Sequence, residues 1–204
     1  SGARILPSVV RKSGDYRKVL DSLTEVGGVD VLHVQHEYGI FGCEDAILDV
    51  CLQARLEGLA GSVVITMHSV HHPLSPDSDA LYFQEKLNLV DAVIVHSQLQ
   101  EFELQHQGID PRIIHRIPHG TLLNPFCWLP RTKLLEKLGV QERMRGMILV
   151  VPGFLRRDKG IDLLLEALRI LGDERFTVIA AGEPRDLNPE GLIERTGKGT
   201  RVIL

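Results

Sequence analysis

Hydrogen-bonding side chains follow several short apolar segments of this 204-residue chain. The first group lies in VQHEYGIFG, residues 34–42, where an amide, an imidazole and a carboxylate stand side by side. Such groups are costly at the end of a buried strand unless they meet water, each other or a ligand. The loop also contains Gly39 and Gly42, which would let the backbone approach a ligand. The stretch therefore predicts one wall of a polar binding site.

The same pattern recurs after five further apolar segments. The residues that follow them are His68, Ser69, His71 and His72; His96 and Ser97; His119 and Gly120; Gly153, Arg156, Arg157, Lys159 and Gly160; and Gly182 and Glu183. In doubly wound sheets, ligands bind at the carboxyl ends of the strands. We therefore expect these residues to collect at one edge of a sheet.

The segment GFLRRDKGIDLLLEAL, residues 153–168, is the sharpest of these signals. Two arginines and Lys159 precede a glycine and an amphipathic helical pattern. Backbone N–H groups at a helix start, the positive end of its dipole and a lysine together suit a phosphate or diphosphate. A basic but solvated turn is the alternative interpretation.

Other kinds of site have weaker support. His68, His71 and His72 suggest a metal-dependent hydrolase, but no nearby cysteine or aspartate completes a familiar zinc spacing. No Gly-x-Ser-x-Gly elbow and no Gly-x-Gly-x-x-Gly fingerprint occurs. The segment GLIERTGKGT, residues 191–200, resembles a P-loop only faintly because its glycine spacing is wrong.

The elements that must position these residues alternate between two patterns. Short β-branched runs predict strands at 30–34, 62–67, 91–96, 112–117, 147–151 and 176–181. Longer amphipathic stretches predict helices at 14–26, 43–59, 77–89, 97–107, 131–139, 160–171 and 189–195. The alternation indicates an α/β fold, with Rossmann-like parallel sheets flanked by helices.

The proline-rich region after residue 118 interrupts this rhythm, which restarts at Met147. We therefore expect a first lobe at 1–125, a linker with a short helix at 126–146 and a partial second lobe at 147–204. About 58 residues are few for an independent core. The second lobe is thus expected to continue elsewhere or to be completed by the first lobe or a partner chain.

Composition narrows the class of protein. The hydrophobic fraction of 44% is ordinary for a globular chain, and a net charge of -4 argues against nucleic acid as the main partner. The odd count of three cysteines favours reduced thiols. No apolar run reaches the roughly 20 residues of a membrane span, and the first ten residues do not resemble a signal peptide. A cytoplasmic protein is expected, with peripheral contact to the inner face of the membrane left open.

Five motifs in order resemble the retaining glycosyltransferases of family 4, which have the GT-B fold. They are VQHEYGIFG, ITMHS, DAVIVHS, RIPHG and GFLRRDKGIDLLLEAL, and the resemblance extends from about residue 16 to residue 181. It implies two Rossmann-like lobes facing a cleft, the first for the acceptor and the second for a UDP- or GDP-linked sugar. Sugar would pass to an acceptor hydroxyl with retention, without a metal or another cofactor. The acceptor would be a saccharide, a lipid-linked or a small molecule.

The resemblance also implies roles for individual residues. Lys159 matches the diphosphate-binding lysine, and His68 matches a histidine that reaches the donor sugar; these two are the candidate catalytic residues. The residues implied to bind the donor and its phosphates are Gly153, Arg156, Arg157, Lys159, Gly182 and Glu183. The acceptor-side cleft comprises Gln35, His36, Glu37, Tyr38, Gly39, Ser97, His119 and Gly120. No metal ligand is implied.

The chain departs from the family pattern at several points. Phe154 stands where many members have a phosphate-binding arginine, so either Arg156 or Arg157 substitutes or binding is weak. The family's glutamate pair and its first strand are not recognisable, so the chain resembles a transferase truncated at both ends. The alternative hypothesis is a non-catalytic binding or scaffold module, with a homodimer completing the second lobe.

Overall fold

The computed structural model describes residues 3–140, 146–172, 176–188, 191 and 201–203. The chain divides into two compact units, Ser1–Leu122 and Leu123–Leu204. Each unit is described by itself.

The first unit contains a four-stranded parallel sheet in the order β1-β2-β3-β4. Its strands are β1 (Val29–His36), β2 (Ala60–Met67), β3 (Ala92–Val95) and β4 (Ile114–Arg116). Its helices are α1 (Lys18–Val26), α2 (Tyr38–Phe41), α3 (Ala46–Leu56), α4 (Ser78–Glu85) and α5 (Gln98–His106). The register pairs His36 with Met67, Met67 with Val95, and Val95 with Arg116. The four carboxyl ends are therefore level.

The core of this unit lies on the sheet. The side chains of Val63, Ile65 and Met67 in β2 are buried, as are Val93 and Val95 in β3. Helices α3 and α4 cover the sheet with further buried apolar side chains, which include Leu48, Cys51, Ala54, Ala80 and Phe83. A parallel sheet covered by helices in this way is typical of α/β folds.

The second unit contains a three-stranded parallel sheet in the order β5-β6-β7. Its elements are α6 (Arg131–Lys137), β5 (Met147–Pro152), α7 (Ile161–Leu171), β6 (Phe176–Ala181) and β7 (Arg201–Ile203). Helix α7 buries Ile161, Leu165 and Leu168, which share one helical face. They form a core cluster with Val178 and Ala180 of β6.

The predicted strands are all present, and most predicted helices agree within a few residues. Two differences matter for the site. Strand β1 extends to His36, so Gln35 and His36 belong to the strand. The predicted helix at 43–59 is preceded by the short helix α2, because Glu37 accepts a hydrogen bond from Gly39 N–H and Gly42 ends the turn at φ 85°. The predicted helix at 189–195 and the segment 191–200 lie outside the described residues, apart from residue 191.

Within the described part of the chain, no helix combines the length and apolarity that a membrane crossing requires.

Candidate functional site

Three histidines converge at the carboxyl edge of the first sheet. His68 follows β2, His96 follows β3 and His119 lies beyond β4. One ring nitrogen of each lies within 4.8 Å of those of the other two. The ring centroids of His96 and His119 are 3.7 Å apart, and those of His68 and His96 are 5.0 Å apart. The level ends of three neighbouring strands thus bring together residues that are far apart in sequence.

The tautomers of two of these rings follow from their partners. Nδ1 of His96 lies 2.9 Å from the carbonyl oxygen of Ile117, which can only accept, so Nδ1 carries the hydrogen. The lone pair of His96 is therefore on Nε2, which is buried and has no hydrogen-bond partner among the described residues. Nε2 of His68 donates in the same way to Oε1 of Gln35, at 2.9 Å. Burial and the neighbouring rings of His96 and His119 lower the pKa of His68.

The loop that holds His96 is fixed by the start of α5. Ser97 accepts a hydrogen bond from the backbone of Gln100, and the Gln100 side chain accepts from the backbone N–H groups of His96 and Ser97. The Gln100 amide also donates to the carbonyl oxygen of His68 at 3.1 Å. This capping box links the loops after β2 and β3. Ser97 therefore has a structural partner within its own helix.

Glu37 is held by the protein as well. Its carboxylate accepts hydrogen bonds from Ser69 Oγ at 2.8 Å and from the backbone of Gly39 at 3.3 Å. The side chain of Glu37 therefore connects the loop after β1 to the loop after β2. Gly120 follows His119, and a β-carbon there would meet no described atom within 4 Å.

The structure corrects the expectation for His36. Its side chain is fully buried, stacked between Phe41 and Phe83 with ring centroids 5.4 and 4.3 Å away. Strand residues alternate between faces, so the extension of β1 to residue 36 turns this ring into the core. Burial lowers the pKa of His36 to about 4, which keeps the ring neutral. His36 is a core residue and does not line the polar edge.

The loop after β2 is organised by two glutamines. Buried Gln84 accepts hydrogen bonds from Tyr38 Oη at 2.9 Å and from the backbone N–H of His71 at 2.7 Å. Its amide donates to the carbonyl oxygen of His71 and to Gln107. Tyr38 is also mostly buried, and burial raises its pKa. Tyr38 and His71 thus serve to anchor the loop.

The histidine set expected for a metal-dependent hydrolase does not assemble. His71 lies against the ring of Tyr38, and Nδ1 of His72 accepts from the backbone N–H of Leu74. Among the described residues, His68 lies instead with His96 and His119, and the ligating atoms of these three are close together. The observed cluster therefore shares only His68 with the expected set, and it contains His96 and His119 in place of His71 and His72.

In the second unit, the loop after β5 and the loop after β6 are joined by backbone hydrogen bonds. Leu155 N–H donates to the carbonyl oxygen of Glu183 at 3.0 Å, and Arg185 N–H donates to that of Leu155 at 3.1 Å. The side chain of Leu155 is buried and anchors its loop. The backbone N–H of Arg157 donates to Oδ1 of Asp186 at 2.9 Å. The basic segment is therefore fixed rather than free in solvent.

Two glycines permit this close approach. A β-carbon on Gly182 would overlap the carbonyl oxygen of Gly153, and Gly153 itself has φ 96°, a conformation that favours glycine. Glycine is needed at position 182 because the two loops meet there, and it is favoured at position 153 because of the backbone conformation.

The cations of this loop differ in their partners. The Arg156 guanidinium pairs with Asp158 at 3.0 Å. Within the described ranges, the side chains of Arg157 and Lys159 form no ion pair, and both residues are exposed. They stand on the turn Arg157–Lys159, directly before Gly160 and the start of α7. This arrangement places two exposed positive charges, neither of them in an ion pair with a described residue, beside the positive end of a helix dipole, and it can hold an anion.

Arg185 is a further candidate residue, which no sequence pattern indicated. Its guanidinium lies 4.5 Å from the centre of the Phe154 ring and 3.1 Å from Oε2 of Glu183. Glu183 is therefore engaged with this arginine. Only the meeting of the two loops brings residue 185 to residue 154, so no local sequence signal marks it. Gln84 was missed because its partners are distant in sequence. Gln100 stands three residues after Ser97, and this capping-box spacing could have indicated it.

Similarity to known proteins is found at the level of structure. No protein-family model matches the chain, and no curated protein matches its sequence. Solved structures of Anabaena Alr3699/HepE do match. The complex with UDP aligns with a TM-score of 0.61 and 18% identity over 92% of this chain. The complex with UDP-glucose aligns with a TM-score of 0.58 and 18% identity over 91% of this chain. The complex with UDP and glucose aligns with a TM-score of 0.60 and 17% identity over 92% of this chain.

These likenesses show the fold. The chain has an α/β fold of the GT-B type, with parallel Rossmann-like sheets flanked by helices, which confirms the predicted fold class. The chain spans about half the length of the HepE chains that it matches, 51% in each case.

Proposed function

We propose that this chain belongs to a retaining glycosyltransferase, similar to family 4, that takes a nucleotide-diphosphate sugar as donor. The observation that carries the proposal is the pair of exposed cations, Arg157 and Lys159, which form no ion pair with a described residue and stand on a fixed loop before α7. The five sequence motifs support the same class. HepE, which shares the fold at 18% identity, is solved with UDP and with UDP-glucose, so a UDP-linked donor is the first to test.

In this proposal, Lys159 and Arg157 bind the donor diphosphate. The bond between the anomeric carbon and the diphosphate oxygen breaks, and negative charge accumulates on the departing diphosphate. Fixed cations stabilise that charge as it develops, without reorganisation during the reaction. The acceptor hydroxyl forms the new bond on the face that the diphosphate leaves, and a diphosphate oxygen takes its proton.

Arg185 is proposed to replace the phosphate-binding arginine that is absent at position 154. The resemblance places a phosphate-binding arginine at position 154, and the Arg185 guanidinium lies over the Phe154 ring. The planar guanidinium suits bidentate contact with a phosphate. Arg156 pairs with Asp158 and Arg185 pairs with Glu183, so a phosphate would replace a carboxylate partner in either case.

The first unit contributes polar groups for the sugar and the acceptor. His68 is proposed to contact the donor sugar, as the resemblance implies. Its Nε2–H is held by Gln35. Glu37 accepts hydrogen bonds from Ser69 and Gly39, so we propose a structural role for its carboxylate.

Titration calorimetry with UDP, UDP-glucose and GDP-linked sugars tests the proposal. We expect UDP to bind and Lys159→Ala to weaken that binding at least about tenfold, since a charge-assisted hydrogen bond contributes roughly 1.5–3 kcal/mol. Lys133→Ala is the matched control, because Lys133 is an exposed lysine of the same unit that pairs with Glu136. Equal affinity of the two variants, or no nucleotide binding at all, contradicts the proposal. Binding without sugar transfer to any acceptor favours the non-catalytic module instead.

A further inference from the structure

The cluster of His68, His96 and His119 has a chemical capacity beyond the contact with the donor sugar that is proposed for His68. Imidazole nitrogens are common ligands of Zn²⁺ and related first-row metals. A zinc site of the open type has three protein ligands and a fourth position for water or substrate. Three ring nitrogens within 4.8 Å of one another provide that number of ligands.

His96 is the strongest ligand candidate. A metal-bound histidine usually donates its other ring N–H to a backbone carbonyl or a carboxylate, which fixes the ring and places the lone pair towards the metal. His96 has this arrangement, since Nδ1–H donates to the carbonyl oxygen of Ile117 at 2.9 Å. Its Nε2 is buried with no hydrogen-bond partner in the described structure. A buried acceptor of this kind costs stability unless something binds to it.

The other two histidines complete the set. The N–H that His68 donates to Gln35 is likewise the outer partner expected of a metal ligand, and it leaves the lone pair on Nδ1. His119 is exposed, so its side chain can rotate. Zinc–nitrogen bonds of about 2.0–2.1 Å with tetrahedral angles place ligand nitrogens roughly 3.4 Å apart. The nitrogens therefore need to approach one another by up to about 1.4 Å. This requires His119 to rotate out of its stack on His96 and the loops of His68 and His96 to move slightly closer.

We propose that His68, His96 and His119 bind a divalent transition metal ion of the zinc type, with a fourth position open to water or another ligand. The site lies wholly in the first unit, at the ends of β2, β3 and β4. It is independent of the cations of the second unit, and it differs from the metal-free expectation of the sequence analysis.

Cobalt(II) titration of the purified chain tests the proposal, because tetrahedral cobalt absorbs much more strongly in the visible range than octahedral cobalt. We expect one Co²⁺ per chain with tetrahedral bands, displaced by Zn²⁺. His119→Ala is expected to weaken Co²⁺ binding at least about tenfold, in line with the effect of disturbing metal sites. His115→Ala is the matched control, since His115 is an exposed histidine of β4 outside the cluster.

Two results overturn the proposal: uptake that does not saturate at one ion, and equal binding by the His119→Ala and His115→Ala variants. His68→Ala provides a second ligand variant, and circular dichroism establishes that each variant is folded. Lys159→Ala should bind Co²⁺ like the wild type. A failure of metal binding is thus separate from a failure of nucleotide binding.

Discussion

The imidazole of His36 is stacked on the ring of Phe83, with ring centroids 4.3 Å apart and ring planes inclined by 18°. The ring of Phe41 stacks at 5.4 Å, and both ring nitrogens of His36 lack hydrogen-bond partners in the described structure. The imidazole of His36, which can take up a proton, thus lies in an apolar environment between aromatic rings. This relationship makes the stability of the first unit depend on pH.

We expect the free energy of unfolding to fall as the pH falls from about 6.5 towards 4. The pKa of His36 is lowered from 6.5 to about 4 by burial, with a smaller opposing effect of Glu37 and a smaller lowering effect of His68. Between these values the unfolded chain binds a proton that the folded chain does not, so acid favours unfolding. The full effect is roughly 3 kcal/mol, at 1.36 kcal/mol per pKa unit. Urea unfolding at pH 7.5 and pH 4.5 measures it.

His36→Phe is the control for this pH dependence. It retains an aromatic ring in the stack and removes both unpartnered nitrogens. Other groups also titrate in acid, so the informative quantity is the difference between the two proteins. An equal loss of stability in His36→Phe and in the wild type would refute the prediction.

Replacement of Gln84 should destabilise the first unit. Gln84→Leu leaves Tyr38 Oη, the His71 backbone and the Gln107 amide without this buried partner. Each unsatisfied buried group costs about 1–3 kcal/mol, so we expect a loss of roughly 3 kcal/mol in urea unfolding. Gln53→Leu, at an exposed glutamine, should change the stability by less than about 0.5 kcal/mol. Similar values for the two variants would contradict the assigned role.

The contact between the loops of the second unit predicts an effect of Gly182→Ala. The added methyl group overlaps the backbone oxygen of Gly153, so the two loops must separate. We expect a loss of stability of about 2 kcal/mol or more, together with weaker UDP binding. Gly120→Ala should be tolerated in unfolding experiments, because that position has free space. Normal stability of Gly182→Ala would show that the loops do not meet in this way.

Arg185→Ala tests the charge proposed to replace the arginine missing at position 154. We expect UDP affinity to fall about fivefold to tenfold in calorimetry, the lower end of the range for a charge-assisted hydrogen bond, because the guanidinium exchanges Glu183 for the phosphate. Little change in stability is expected. Arg169→Ala, at an exposed arginine of α7 that pairs with Glu166, should bind UDP normally. Unchanged affinity of Arg185→Ala would leave Arg157 and Lys159 as the proposed phosphate ligands.

The three cysteines should react with iodoacetamide in a defined order. Cys127 is exposed, whereas burial raises the pKa of Cys51 to about 12 and also raises that of Cys43, whose thiol donates to Asp77. Since the thiolate is the reactive form, Cys127 should be modified first and Cys51 only after unfolding. Peptide mass spectrometry reads out the order. Early modification of Cys51 would contradict its place in the core.

The succession of elements was predictable because it depends on local patterns. Buried parallel strands are nearly continuous apolar runs, and the helix α7 carries its apolar residues on one face. Short elements were harder to predict. The helix α2 depends on the Glu37 side chain and on the conformation of Gly42. Gln35 and His36 belong to β1 because they pair with β2, which a local pattern does not show.

The sequence by itself determined the order of strands and helices, the polar residues after each strand and the basic segment before α7. Tertiary structure decided which of those residues meet. It buried His36 because strand alternation and the rings of Phe41 and Phe83 fix its direction. It also joined His68 to His96 and His119 and placed Arg185 on Phe154. The physical reason is that strand pairing and loop contacts bring together residues distant in sequence, whereas periodicity reports only on neighbours along the chain.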